Sequence, residues 1–138
     1  MADLDITTTG RVLLARLNRP DKKNAQSEEM LEDLSQALRS ANDNPDIGCF
    51  VLTGAGDAFC SGGDLGRRSR EGGAPTPLER KQRLQKVSHK VALAVADFEK
   101  PLIAAVNGAA VGAGMEMALV CDIRYVGASA PFSEGDIR

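Results

Sequence analysis

The chain has 138 residues, of which 43% are apolar and 26% are charged, as expected for one globular domain with a core of its own. The formal net charge of −2, the 4% aromatic content and the lack of tryptophan disfavour a nucleic-acid-binding protein, which usually carries a basic face with interleaved aromatic residues. Charges and glycines interrupt every apolar run well before a membrane-spanning length, and the first residues lack the pattern of a signal peptide.

The first half of the chain predicts two strands separated by a helix. Residues Val12–Leu17 alternate as in a strand, and the four residues that follow, 18–21, have turn chemistry. A helix is predicted over 27–42, with two glutamates at its positive N-terminal end. Its apolar stripe consists of Leu31, Leu34, Leu38 and Ala41. The short apolar run 49–53 suits a buried strand.

The second half begins with a polar segment, 66–77, whose glycines and prolines predict an exposed, mobile loop. A long helix is predicted over 78–99. A run of small residues, 108–114, leads into a strongly apolar helical segment over 115–120. Two further strands are predicted at Leu102–Val106 and Ile123–Val126. Strands that alternate with long helices imply crossover connections and therefore a largely parallel sheet.

Side chains that could form disulfides or bind a metal are few. Cys49, Cys60 and Cys121 are odd in number and lie among apolar or small residues, so reduced thiols in a cytoplasmic protein are favoured over a disulfide framework. With His89 as the single histidine and no paired cysteines, a zinc site would have almost no ligands. We therefore expect no metal centre.

Two glycine-rich turns, 60–64 and 108–114, follow two of the buried segments. Glycine permits a positive φ and lets a ligand approach the backbone without a β-carbon in the way. In the second turn a helix is predicted to start, so its first amide groups have no carbonyl partners within the helix. Such donors suit a developing negative charge.

A dinucleotide-binding fold is the first alternative to consider, because 54–56 and 112–114 both read Gly-Ala-Gly. The fingerprint of that fold requires a third glycine, and Phe59 and Met117 stand at the corresponding positions. Neither segment has the whole fingerprint, and no P-loop pattern occurs. A nicotinamide cofactor is therefore disfavoured.

Glu116 is the most informative single residue of the sequence. Its neighbours from Met115 to Val120 are all apolar, which predicts a helix without a polar face and therefore a buried carboxylate. A buried carboxylate costs several kcal/mol to ionise unless it is paired. Two interpretations remain open: a structural glutamate tied to a buried arginine or to backbone donors, or a functional acid beside the glycine-rich turn.

Three blocks of the sequence carry a specific family resemblance. They are LNRPDKKNA (17–25), LTGAGDAFCSGGDLG (52–66) and KPLIAAVNGAAVGAGMEMALVCDIRY (100–125). In order and spacing they resemble the signature blocks of the crotonase, or enoyl-CoA hydratase/isomerase, superfamily. The resemblance implies an α/β fold with the crotonase-like (ClpP/crotonase) spiral core of repeated ββα units. It also implies that residues 1–138 form a single crotonase-like domain, truncated at the C-terminus and without the family's C-terminal helical part.

The same resemblance implies a set of catalytic residues. The backbone amides of Gly63 and Ala113 correspond to the two donors of the family's oxyanion hole, which binds the thioester oxygen as it becomes an enolate. Relatives usually carry glycine at the position of Ala113. Glu116 corresponds to the first catalytic carboxylate. The second falls on Asp136, although Glu134 could serve instead.

Coenzyme A contacts are implied for two segments. Lys22, Lys23 and Ala25 resemble residues that line the adenine and pantetheine, and so do Gly63, Asp64 and Leu65. Arg67 and Arg68 could also face the CoA phosphates, or they could simply be solvated. No cofactor is expected, since coenzyme A is part of the substrate.

The function that the resemblance implies is binding of acyl-CoA thioesters and, in first place, hydration of a 2-enoyl-CoA. The alternatives are a Δ3-Δ2 enoyl-CoA isomerase that uses one carboxylate, and a CoA-thioester hydrolase or dehalogenase. His89 resembles the base of aryl-CoA dehalogenases, but an exposed or satisfied surface histidine is the favoured interpretation. A non-catalytic CoA-ester binder or scaffold module is the alternative from another class. We expect a cytoplasmic protein that binds neither nucleic acid nor membrane and forms a homotrimer or hexamer at full length.

Overall fold

A computed structural model of the protein describes residues 2–63 and 76–133. The strands are β1 (Leu4–Thr9), β2 (Val12–Leu17), β3 (Cys49–Gly54), β4 (Ala58–Cys60), β5 (Leu102–Val106), β6 (Ala109–Val111), β7 (Ile123–Val126) and β8 (Phe132–Ser133). The helices are α1 (Glu28–Asp43), α2 (Pro77–Asp97) and α3 (Ala113–Leu119), with a short 3-10 helix at Pro20–Lys22. The predicted loop 66–77 lies almost entirely outside the described residues.

The larger of two sheets has the strand order β1-β2-β3-β5-β7. Its pairs are parallel except for β1 with β2, which form an antiparallel hairpin. Phe50 and Leu102 are register partners, and both are buried at the centre of the sheet. The four predicted strands of this sheet and its largely parallel character are confirmed, whereas β1 was not predicted.

Two long helices pack against each other and cover this sheet. The Oγ of Ser27 caps α1 by accepting from the amide of Met30 at 3.1 Å, as serine at this position commonly does. Thr76 and Glu79 form a reciprocal capping box at the start of α2, with distances of 2.8 and 3.1 Å. The predicted stripe of α1 is buried as expected. No helix in the described ranges is long and apolar enough to cross a lipid bilayer.

A second sheet has three short strands in the order β4-β6-β8, all parallel. In it Cys60 is the register partner of Ala110, and Ala110 is the partner of Phe132. From the sequence, the small residues 108–114 were interpreted as a turn without a strand, so β6 corrects that interpretation. Its small side chains let β4 and β8 approach on both sides, and this pairing with distant segments stabilises the strand.

Candidate active site

The two glycine-rich turns meet at one edge of the small sheet. Because β4 and β6 run parallel, their carboxyl ends lie side by side. The first turn begins at the end of β4, and the second contains β6 and continues from its end into α3. Gly62 has a φ of +113°, and a β-carbon built on it would lie 3.4 Å from the Val111 carbonyl oxygen and 3.9 Å from the Ala113 nitrogen. The turn before Gly63 therefore packs directly against the start of α3.

The start of α3 is held against β4 without an intervening side chain. A β-carbon on Gly114 would overlap the carbonyl oxygen of Cys60, so only glycine allows this approach. Ala113 is the first residue of the helix, and its amide belongs to the first turn, where intrahelical acceptors are missing. Within residues 2–63 and 76–133, no acceptor is hydrogen-bonded to the amide of Gly63 or to that of Ala113. Neither amide therefore has a partner in the described part of the chain.

Glu116 is exposed, which corrects the predicted burial of this side chain. The buried face of α3 consists of Gly114, Met117 and Ala118, and Glu116 lies outside it. Residues adjacent in a helix point in different directions, so apolar neighbours in sequence do not enclose a side chain. The carboxylate therefore needs no buried cation to compensate it.

A cavity of about 240 Å³ connects Glu116 with the start of α3. Its polar lining residues are Gln26, Ser88 and Glu116, and Ala113 also lines it. The other lining residues are apolar: Leu31, Val91, Ala92, Val95, Met117 and Val120. A mostly apolar cavity with a few polar groups is the usual form of a small-molecule site.

Two asparagines fix the turn that leads into β4, and sequence reasoning missed both. Asn24 is fully buried with a φ of +58°, and its Nδ2 donates to the carbonyl oxygens of Ala55 and Ala58, each at 2.9 Å. Asn107 donates to Gly56 and Ala58, each at 3.1 Å. Asparagine tolerates the left-handed region better than most residues, which was the available signal for Asn24.

The basic turn before Asn24 lies beside the first glycine-rich turn. The amide of Ser61 donates to the Lys23 carbonyl oxygen at 3.0 Å, and the amide of Ala25 donates to that of Lys22 at 3.1 Å. The Nζ of Lys23 is 3.4 Å from an Asp57 carboxylate oxygen, but both side chains are exposed, and such a pair contributes little. The structure thus brings Lys22, Lys23 and Ala25 close to Gly63.

Several predicted site residues cannot be placed. Asp136 and Glu134 lie outside the described residues, and so do Asp64, Leu65, Arg67 and Arg68. His89 is exposed on α2 and is not among the residues that line the cavity.

The thiol nearest to the site is buried and unreactive. Burial raises the pKa of Cys60 to about 11, although hydrogen bonds from the Gly62 backbone and the Gln26 side chain oppose the rise. The described cysteines are all free, as the sequence predicted. A thiol with so high a pKa is almost wholly protonated near neutral pH, so Cys60 contributes packing and not a nucleophile.

Known proteins resemble the chain along almost its whole length. The sequence profile of the enoyl-CoA hydratase/isomerase family matches residues 7–138. A probable enoyl-CoA hydratase of Mycobacterium tuberculosis is 42% identical over 121 residues, which cover 88% of this chain and 45% of that protein. The 1,2-epoxyphenylacetyl-CoA isomerase of Escherichia coli is 36% identical over 121 residues, with coverages of 88% and 46%. The chain spans about half the length of these curated relatives.

A solved structure gives the same result for the fold. The crystal structure of a probable enoyl-CoA hydratase/isomerase from Mycobacterium abscessus superposes with a TM-score of 0.76 at 32% sequence identity, covering 94% of this chain and 48% of that one. The predicted crotonase-like α/β fold is therefore confirmed. Sequence profile, relatives and fold agree, and the chain belongs to the enoyl-CoA hydratase/isomerase family.

Proposed function

We propose that the protein binds 2-enoyl-CoA thioesters and hydrates them, with the amides of Gly63 and Ala113 as the oxyanion hole. The observation that carries this proposal is the cavity that Ala113 and Glu116 line together, beside the turn of Gly62 and Gly63. In this proposal the amides of Gly63 and Ala113 and the carboxylate of Glu116 act on one bound molecule. The apolar walls suit an acyl chain.

Hydration adds the oxygen of water to C3 of the enoyl group and a proton to C2. As the C3–O bond forms, the π electrons of the double bond move towards the thioester oxygen, which becomes an enolate oxygen. The amides of Gly63 and Ala113 stabilise that charge, and a donor of this kind typically contributes about 3–4 kcal/mol. Of Glu116 and Asp136, one takes a proton from water and the other, in its acid form, gives a proton to C2.

For the coenzyme A part, we propose that Lys22 and Lys23 face the phosphates and that Ala25, Asp64 and Leu65 line the adenine and pantetheine. The hydrogen bond from Ser61 to the Lys23 carbonyl oxygen supports this arrangement, because it fixes the basic turn next to Gly63. A phosphate would compete easily for Lys23, since its ion pair with Asp57 is exposed.

An enoyl-CoA isomerase is the second candidate. Glu116 is the one carboxylate among the described residues that line the cavity. A single carboxylate is enough to move a proton between two carbons of an enoyl thioester.

The test compares crotonyl-CoA hydration and 3-enoyl-CoA isomerisation by the protein expressed from its complete gene. Glu116→Gln removes the acid but keeps the shape, and we expect a rate lower by about 10²–10⁴-fold. Asp136→Asn should lower hydration by a similar factor if two carboxylates share the water. An unchanged Asp136→Asn variant beside an inactive Glu116→Gln variant would favour the isomerase.

Glu99→Gln is the matched control, because it removes an exposed carboxylate that does not line the cavity. Its rates should equal those of the wild type. Full activity of Glu116→Gln in both assays would rule out Glu116 as the catalytic acid of either enzyme. If the wild type catalyses neither reaction, calorimetry with butyryl-CoA, which cannot be hydrated, shows whether the protein is a non-catalytic binder.

A further inference from the structure

Gln26 is connected by hydrogen bonds to both glycine-rich turns of the site. Its main-chain amide donates to the Gly62 carbonyl oxygen at 2.7 Å, and Gln26 and Gly63 form an isolated parallel bridge. Its side-chain Nε2 donates to the Ala113 carbonyl oxygen at 3.5 Å. The first turn is thus bound by the backbone of Gln26, and the second is bound by its side chain.

The side chain of Gln26 is an unusual group for its surroundings. The residue is only 6% exposed, and it lines the cavity that also contains Ala113 and Glu116. A buried amide costs free energy unless its donors are satisfied, and here the carbonyl oxygen of Ala113, at the start of α3, accepts from it.

We propose that Gln26 is a positioning residue that holds the amides of Gly63 and Ala113 at the separation an enolate oxygen requires. This inference rests on the proposed function. The bond at 3.5 Å is long, but hydrogen bonds in such sites are often long before the substrate binds and shorten afterwards. Displacements of about 1 Å in reacting groups can change a rate by about 10²-fold. A single hydrogen bond that fixes the two turns relative to each other therefore affects the reaction rate.

The experiment measures the enolate directly. Acetoacetyl-CoA, a 3-ketoacyl thioester, ionises to an enolate that resembles the proposed intermediate and is detected by its ultraviolet absorbance. Gln26→Leu keeps the backbone bond to Gly62 and most of the volume but removes the donor. We expect about tenfold less bound enolate at a given pH, with affinity for butyryl-CoA unchanged within about twofold. A purely structural role would lower both together.

Gln26→Glu should make the fraction of bound enolate depend on pH in its own way. The carboxylic acid form can donate to the Ala113 carbonyl oxygen, whereas the carboxylate cannot and is repelled by it. The enolate fraction of this variant, divided by that of the wild type, should rise towards one as the pH falls through the titration of the new group. For Gln26→Leu the same ratio should not change with pH.

Gln36→Leu is the matched control, since it makes the same change at an exposed glutamine of α1 that does not line the cavity. Its enolate fraction should equal that of the wild type. A wild-type enolate fraction in Gln26→Leu would overturn the inference while leaving the oxyanion hole intact. A wild type that binds acetoacetyl-CoA without ionising it would instead refute the oxyanion hole, and the positioning role with it.

Discussion

Ala113 combines two roles at a single backbone nitrogen. It is the first residue of α3, where the amide has no partner within the helix, and it is the donor proposed for the thioester oxygen. The first position of a helix is also the one that proline tolerates best, since its missing N–H would have had no partner there. The donor can therefore be removed while the helix is retained.

Ala113→Pro should lower the rate constant for crotonyl-CoA hydration by about 10²–10³-fold, the usual effect of losing one oxyanion donor. Affinity for butyryl-CoA should fall much less, because a saturated thioester develops no enolate charge. Steady-state kinetics and calorimetry of the two ligands provide the comparison.

The control for this substitution is Ala113→Gly, which keeps the donor and the helix start. We expect its rate constant to lie within a few-fold of the wild type. Near-normal turnover in Ala113→Pro, with the fold intact by circular dichroism, would mean that the charge is stabilised elsewhere.

At this scale the sequence singled out Glu116 as a candidate acid but did not predict its environment. Glu116 stands out because every neighbour in its helix is apolar, and the structure places it on the cavity beside Ala113. Its burial was predicted wrongly, since Leu119, at the end of the same short helix, and Val120, just after it, are also 45% and 52% exposed. Local composition does not determine which face of a helix a neighbouring element covers.

Lys100 shows how two elements of the fold are joined. Its Nζ donates to the carbonyl oxygens of Ala41, Asn44 and Ile47 at 2.7, 2.5 and 2.8 Å. The last carbonyls of α1 have no intrahelical partners, and an ammonium is favoured at this negative end of the helix dipole. The side chain therefore ties the end of α1 to the start of β5.

Lys100→Met should lower the free energy of unfolding by about 2–3 kcal/mol, because it removes three charge-assisted donors and keeps the aliphatic stem. Urea denaturation measures the change. Lys90→Met is the comparison: its Nζ is 3.1 Å from a Glu32 oxygen, but that pair is exposed and should contribute no more than about 0.5 kcal/mol. Equal losses in the two variants would contradict the proposed role of Lys100.

Elements with a strong local pattern could be predicted from the sequence, and those built by distant pairing could not. The stripe of α1 and the apolar run of β5 carry their signals within a few residues. β6 has only three small residues, and it forms a strand because β4 and β8 pair with it. β1 exposes five of its six residues and is stabilised as a strand by its pairing with β2.

At the scale of the molecule, the candidate site depends on contacts between segments far apart in sequence. Asn24 and Asn107 both donate to the carbonyl oxygen of Ala58, so the turn before β4 is held from two sides. The three family blocks lie on these segments, which explains why they are recognisable together. The exact approach of the turns depends on buried hydrogen bonds, which no periodicity in the sequence reports.

At the scale of the whole molecule, two buried thiols predict that the protein loses stability at alkaline pH. Burial raises the pKa of Cys60 to about 11. It also raises that of Cys121 to about 12, with a smaller contribution from Asp122 and an opposing one from Arg124. Both values exceed the ordinary 9.0 of an unfolded chain, so above that pH the unfolded thiols release protons that the folded thiols retain.

Unfolding is therefore favoured as the pH rises from 9.0 towards 11, and stability is unaffected by these groups below that window. The free energy of unfolding should fall by about 1.4 kcal/mol per pH unit for each thiol. Urea denaturation under reductant, from about pH 8 to about pH 10.5, measures this slope. Cys60→Ala and Cys121→Ala should each remove about half of it, whatever their baseline stability. If the free energy of unfolding falls just as steeply with pH in the Cys60, Cys121 double variant, then other groups cause the loss of stability.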